Sequence, residues 1–164
     1  MRNRPAGALL LALVGLALLQ PPAAAEFSAD DRRMKAHLVA ISQGTEPLTD
    51  LHIEVEDGTM ERWRHYEISG GQVVSQAWDE LGAPARDAQW TVTDEEVRQL
   101  LSQLVAQEYW VLQGTRFVPD ADTFLLRFYY QGLPFVTYQC DAEEYRRSQP
   151  REAIRSTLLT FVSQ

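Results

Sequence analysis

The most strongly apolar stretch of the chain is Thr123–Cys140, in which β-branched and aromatic residues are dense and Gln131-Gly132 separates two such runs. A polar residue followed by glycine between apolar runs predicts a two-residue hairpin turn. The register set by this turn predicts three cross-strand pairs: Tyr130 with Leu133, Phe128 with Phe135, and Leu126 with Thr137. One face of the hairpin then carries the apolar side chains that we expect to lie under helices: Phe124, Leu126, Phe128, Tyr130, Leu133 and Phe135.

Further strands are predicted in the first half of the chain. Leu51–Glu56 alternates apolar and polar residues, which indicates a half-buried strand, and Asp57-Gly58 predicts a turn after it. Arg62–Ser69 and Gln72–Trp78 flank a Gly-Gly pair and predict a second hairpin. Its simplest register gives these pairs: Ile68 with Val73, His65 with Gln76, and Trp63 with Trp78. The three strands form a meander, and a loop over 79–88 leads to a short strand at 89–92.

Helical spacing of apolar residues appears in three other stretches. Thr93 and Glu96 form a capping box ahead of five regularly spaced apolar positions: Val97, Leu100, Leu101, Leu104 and Val105. Pro150 suits the first turn of a last helix, whose apolar stripe is Ile154, Leu158, Phe161 and Val162. Ser28 caps a weakly apolar first helix that carries Met34, Leu38 and Ile41. That first helix either packs on the domain edge or forms a loosely held arm.

These elements predict an α+β fold. We expect an antiparallel β-sheet of about five to six strands, built from a meander and a hairpin, with two helices packed on one face and an extra N-terminal helix. The predicted organisation is a cleaved signal peptide at 1–25, an N-terminal helix and linker at 26–48, and a single α+β domain at 49–164. In layout, the segment Leu51–Val162, with its Asp94–Leu112 portion, resembles small exported bacterial domains of unknown function.

The front of the chain predicts export. Arg2 and Arg4 precede an apolar run, Ala8–Leu19, that is short for a span of roughly 20 residues, and Ala23-Ala24-Ala25 offers small residues for cleavage after Ala25. The alternative is an uncleaved N-terminal anchor. The single cysteine, Cys140, does not follow the apolar run, so the sequence predicts neither a lipoprotein nor an internal disulfide. The expected location is periplasmic or extracellular, with no membrane contact after cleavage.

Charge narrows the class of partner. Cleavage would leave 13 of the 15 basic residues against 23 acidic ones, a net charge of about −10. A nucleic-acid partner requires a basic stripe that displaces counterions, and the basic residues here are scattered. We therefore expect no nucleic-acid binding, and a protein partner or self-association remains open.

Most catalytic signatures are missing from the sequence. It has no phosphate-binding glycine loop, no G-x-S-x-G, no H-E-x-x-H and no C-x-x-C motif, and it implies no cofactor and no catalytic residue. His52, Glu54 and Glu56 lie on one face of a strand, a spacing that a metal ion could use, and His65 and Glu67 lie on the next strand. His52, Glu54, His65 and Glu67 suggest a metal-dependent or acid–base hydrolase, while the alternative is a solvated strand face. Asp120 and Asp122 form a weaker pair in a loop.

The other face of the last hairpin is unusually rich in apolar and aromatic residues. It carries Leu125, Arg127, Tyr129, Val136 and Tyr138, and Trp63 and Trp78 would extend it if the first hairpin joins the same sheet. Tyrosine, tryptophan and arginine are enriched at interfaces. We therefore predict a non-enzymatic exported binding module that uses this face. The alternatives are that the N-terminal helix covers the face, that a bent sheet buries both faces, or that the sheet and the 94–107 helix enclose a cup for a small molecule or lipid.

Overall fold

The computed structural model describes residues 28–59, 62–78, 84–112, 123–141 and 149–163. In chain order the elements are α1 (Ala29–Ser42), β1 (Leu51–Thr59), β2 (Arg62–Ser69), β3 (Gln72–Trp78), β4 (Pro84–Thr91), α2 (Asp94–Ala106), a 3₁₀ turn (Tyr109–Leu112), β5 (Thr123–Tyr130), β6 (Leu133–Asp141) and α3 (Gln149–Val162). Residues 1–27, on which the signal-peptide prediction rests, and Asp120 and Asp122 lie outside this set.

The described strands form one open, antiparallel, six-stranded sheet in the order β4-β3-β2-β1-β5-β6. The meander and the C-terminal hairpin are joined where β5 pairs with β1. This arrangement confirms the predicted α+β class and the strand layout. The first hairpin also has its predicted register, with Trp63 opposite Trp78, and Ile68 opposite Val73.

Three local predictions are wrong. The pairs Tyr130–Leu133 and Phe128–Phe135 are observed, but Leu126 lies opposite Tyr138 rather than Thr137 because the ladder shifts register between Leu126 and Arg127. Asp57-Gly58 is not a turn: β1 continues to Thr59, and Gly58 pairs with Trp63. The loop expected over 79–88 ends earlier, because β4 begins at Pro84, and an edge strand tolerates proline as its first residue.

The core lies between one face of the sheet and the helices. Alternation along β1 and β5 places one set of strand side chains in this cluster: Leu51, Ile53, Val55, Phe124, Leu126, Phe128 and Tyr130. The helices contribute buried residues to the same cluster, among them Met34, Leu38 and Ile41 of α1, Leu101 and Leu104 of α2, and Ile154 and Leu158 of α3. Because the apolar residues of α1 are fully buried here, α1 is neither a loose arm nor a cover for the face that carries Tyr129.

Side-chain contacts fix the helices to this core. The Tyr109 ring of the 3₁₀ turn lies 5.3 Å from the Phe128 ring. Arg155 of α3 donates two hydrogen bonds to the Asp57 carboxylate at the end of β1, at 2.9 and 3.0 Å. Among the described residues, no helix is long and apolar enough to span a membrane.

Candidate functional site

The face of the sheet opposite the core brings together most of the candidate residues. We call it the outer face and define it by these residues: His52, Glu54, Glu56, Trp63, His65, Glu67, Trp78, Leu125, Arg127 and Tyr129. Period-two alternation places them on one side of β1, β2, β3 and β5. The register puts Glu54 of β1 between Arg127 of β5 and Glu67 of β2.

An arginine bridge lies at the centre of the outer face. Arg127 Nη1 is 3.1 Å from Glu54 Oε2 and 3.2 Å from Glu56 Oε1. The three side chains are 32%, 19% and 17% exposed, respectively. One guanidinium therefore bridges two carboxylates that are partly removed from water, and it balances one of their two negative charges.

This geometry changes the acid–base behaviour of the bridge. Partial burial by itself would raise the pKa of Glu54, but hydrogen bonds from Arg127 and His52 and the charges of these groups lower it below the ordinary value. Burial opposes the charged form of Arg127 as well, yet the hydrogen bond to Glu54 and the negative charge of Glu56 raise the pKa of Arg127. Glu54 and Arg127 thus hold each other in the charged state.

Tyr129 is attached to the same bridge. Its hydroxyl donates to Glu54 Oε2 at 3.3 Å, and its ring lies edge-on to the His52 ring at 5.6 Å. Burial first, and then the negative charge of Glu54, raise the pKa of Tyr129. The phenol therefore stays protonated and acts as a hydrogen-bond donor.

The two histidines of the metal hypothesis contact carboxylates rather than each other. His65 Nε2 lies 3.1 Å from Glu67 Oε1, and its Nδ1 lies 3.6 Å from Glu56 Oε1. His52 Nε2 lies 3.3 Å from Glu54 Oε1. In the part of the chain that the structure describes, no group of three or more His, Cys, Asp or Glu side chains is arranged to hold a metal ion. The use of these residues by a metal stays a prediction.

The tryptophan end of the outer face is shaped by a glycine. Gly58 and Trp63 are cross-strand partners, and a Cβ atom added to Gly58 would lie 2.7 Å from Trp63 Cζ3 and 2.9 Å from Cδ2. The indole therefore lies directly over the backbone of Gly58. Trp78 is half-buried beside it, and the His65 ring is 6.5 Å from that of Trp78.

For two predicted members of the binding face, Val136 and Tyr138, the structure describes the backbone only. The backbones of Val136 and Tyr138 lie opposite Arg127 and Leu126, respectively, but the side chains of both residues lie outside the described set. Sequence reasoning put Glu56 on this strand face but did not recognise it as a partner of Arg127. The alternation of His52, Glu54 and Glu56 was the available signal, because it places all three on one side.

Pockets occur on the helix side of the sheet. One of about 480 Å³ lies between Trp90 of β4 and the helices α2 and α3. Another, of about 370 Å³, lies beside the N-terminal end of α2 and is bordered by Leu48, Leu51 and the Gly70-Gly71 turn. A smaller one of about 250 Å³ lies next to the Asp57–Arg155 contact. Neither His52 nor His65 lines any of these three.

No protein-family model matches the chain, and no curated protein is significantly similar to it. The resemblance to small exported bacterial domains therefore stays a prediction based on layout.

Proposed function

We propose that this chain is a non-enzymatic exported module, periplasmic or extracellular, that binds another protein or a second copy of itself through the outer face. The observation that carries the proposal is the Arg127 bridge to Glu54 and Glu56, together with the aromatic side chains beside it. Arginine, tyrosine and tryptophan are the residue types that most often dominate the binding energy of protein interfaces.

The outer face is already ordered before any partner arrives. Tyr129 and His52 contact Glu54, and His65 contacts Glu56, so each side chain is positioned by another one. Association normally loses free energy when mobile side chains become fixed, about 0.5–1.5 kcal/mol for each rotamer-rich side chain. A surface held by its own ion pairs and hydrogen bonds avoids much of that loss.

Every hydrogen bond and ion pair of the outer face that the structure describes joins residues of the strands. The described helices contribute their buried residues to the opposite face. This supports the availability of the outer face to a partner through its half-buried side chains, whereas Leu125, which is 7% exposed, is buried.

Site-specific photo-crosslinking tests the proposal. A photo-crosslinking amino acid is placed at position 52 on the outer face, which is 31% exposed, and in a matched control at position 102 on the exposed side of α2. We expect a discrete adduct from position 52 in the native host, loss of that adduct when Tyr129→Ser is added, and none from position 102. An adduct of twice the chain mass would identify self-association. Equal products from both positions, or none from position 52, would overturn the proposal.

A hydrolase is a second candidate, supported by the carboxylate–imidazole contacts of His52 with Glu54 and of His65 with Glu67. Calorimetric titration with zinc and nickel tests its metal-dependent form. Binding heat that disappears in His65→Ala would favour it, and the absence of heat at micromolar protein would remove it. A cup for a small molecule or lipid is a third candidate, for which the pockets beside α2 are the supporting observation.

A further inference from the structure

Among the described strands, β4 forms one edge of the sheet, and no other described strand pairs with the outer side of its backbone. Val92 N donates to Gly71 O at 2.9 Å, which marks Gly71–Val92 as a hydrogen-bonded pair. In an antiparallel ladder, hydrogen-bonded and non-hydrogen-bonded pairs alternate. The register therefore makes Thr91, Gln89 and Asp87 members of non-hydrogen-bonded pairs, with their N–H and C=O groups directed away from β3. These three residues are exposed.

The two edge strands of the sheet differ in how well they are protected against pairing with an additional strand. The edge strand β6 contains Pro134, has a register shift against β5, and is contacted by α1 and the 3₁₀ turn. In β4, the irregularity lies at its start, where Pro84 faces Trp78. From there to Thr91 the strand contains no further proline and no lysine, and its charged residues, Arg86 and Asp87, lie in its first half and leave Ala88–Thr91 uncharged. The edge formed by β4 is therefore open to an additional strand.

The pocket between Trp90, α2 and α3 forms a groove beside this edge, on the helix side of the sheet. Its volume is about 480 Å³, and its walls combine apolar and neutral polar side chains, chiefly Trp90, Leu100, Phe161, Gln99, Gln103 and Thr160. Glu96 contributes one carboxylate, and none of the described residues that line the groove is an arginine or a lysine.

We infer that β4 and this groove bind an extended segment of a partner protein as a seventh strand. Main-chain hydrogen bonds to Gln89 and Thr91 would give affinity, and alternate side chains of the segment would enter the groove and give specificity. Glu96, together with a described lining that contains no basic residue, favours a segment without acidic residues. A second copy is disfavoured because two copies would carry the same net charge, −8 for the full chain, and would each bring an Asp87 to the shared edge.

This site is separate from the outer face, because it uses the edge of β4 and the helix side of the sheet. If no peptide bound the β4 edge, the proposed role of Arg127 and Tyr129 in partner binding would be unaffected. Equally, the absence of a partner for the outer face would not argue against binding at β4.

Panning of phage-displayed random peptides, about 12 residues long and so longer than a typical strand, tests the inference directly. We expect enrichment of peptides that alternate apolar and neutral residues. Gln89→Pro removes an outward N–H without breaking the ladder to β3, so a synthetic enriched peptide should bind this variant about tenfold more weakly, the equivalent of one lost hydrogen bond. The matched control, Gln89→Ala, keeps the N–H and should bind within about twofold of the natural chain.

A second variant covers the case in which Gln89→Pro does not fold. Thr160→Trp fills the groove and leaves the β4 edge intact, so it should also weaken binding about tenfold by excluding the peptide side chains. Three results would overturn the inference. These are no enriched peptide, equal binding to the natural chain and both variants, or self-association that Gln89→Pro abolishes, which would make a second copy the occupant.

Discussion

Arg127 of β5 and Glu54 of β1 form an ion pair between neighbouring strands, with Nη1 and Oε2 3.1 Å apart. The pair lies on the outer face of the sheet, whereas the buried residues of the described helices pack against the opposite face. The pair depresses the pKa of Glu54, whose ordinary value is 4.5. The ionised Glu54 side chain therefore stabilises the folded state at pH values above its ordinary pKa of 4.5. This contribution is lost as the pH falls through the lower pKa that Glu54 has in the folded state.

This linkage predicts that Glu54→Gln weakens the dependence of stability on acid. The free energy of unfolding of the natural chain should fall more steeply below about pH 4.5 than that of the variant, because only the natural chain must protonate Glu54. Urea denaturation at a series of pH values measures both slopes. Glu67→Gln is the control, since Glu67 is 43% exposed and contacts His65 rather than Arg127. Parallel curves for the natural chain and Glu54→Gln would contradict the assignment.

The two hydrogen bonds from Arg155 to Asp57 predict that α3 depends on this contact for its attachment to β1. Arg155→Ala should lower the free energy of unfolding by about 1–2 kcal/mol, because it removes a partly buried, bidentate ion pair. Arg155→Lys should recover only part of this loss, since an ammonium cannot reproduce the fork.

The matched control for Arg155→Ala is Arg33→Ala. Arg33 pairs with Asp30 within α1, and both side chains are more than half exposed. Its loss should be about 0–0.5 kcal/mol by the same denaturation measurement. Equal losses for the two variants would show that the Asp57 contact adds nothing beyond a surface pair.

The contact of Trp63 with Gly58 predicts an unusual cost for a small substitution. Gly58→Ala should destabilise the chain by about 1–3 kcal/mol, because the new methyl group would overlap the indole ring. The same substitution in a Trp63→Ala background should cost clearly less, since the ring is gone. Denaturation gives the two differences, and near-ultraviolet circular dichroism reports the displaced indole. An equal cost in both backgrounds would disprove the steric explanation.

Phe128 and Tyr129 are adjacent in sequence and lie on opposite faces of β5, which predicts very different sensitivities. Phe128→Ala should cost about 3–5 kcal/mol, because Phe128 is fully buried against Tyr109. Tyr129→Ser should cost about 1 kcal/mol or less, because Tyr129 is half-buried and makes one side-chain hydrogen bond. Thermal denaturation compares them. If Tyr129→Ser unfolds the chain as readily as Phe128→Ala, the outer face is structural and the proposed function fails.

Local patterns predicted the hairpins well because the turn residues themselves carry the information. Gly70 and Gly71 both have positive φ, as do Gln131 and Gly132, and this is the geometry that two-residue hairpin turns require. The capping box of Thr93 and Glu96 likewise fixed the start of α2, and both of its hydrogen bonds are present.

Features that depend on contacts between strands, rather than on the residues of one turn or one helix, were not predicted. No glycine, proline or other turn residue in the sequence marks the register shift at Leu126. Gly58 was predicted to lie in a turn, whereas it is a strand residue that contacts the Trp63 ring. The Arg127 bridge needed the pairing of β1 with β5, which alternation within either strand does not reveal. Strand faces could therefore be read from the sequence, while the partner of each charged side chain could not.

The position of β1 between β2 and β5 has a consequence for how the chain reaches its native state. Glu54 and Arg127 are 73 residues apart in sequence, so the two halves of the sheet meet only through a contact of long range. Such contacts close large loops and slow folding. During synthesis the first four strands emerge before β5, so one side of the β1 backbone has no hydrogen-bond partner until the C-terminal third of the chain has been translated. Residues that speed the docking of β5 onto β1 should therefore govern yield and resistance to aggregation more than residues that strengthen the first hairpin.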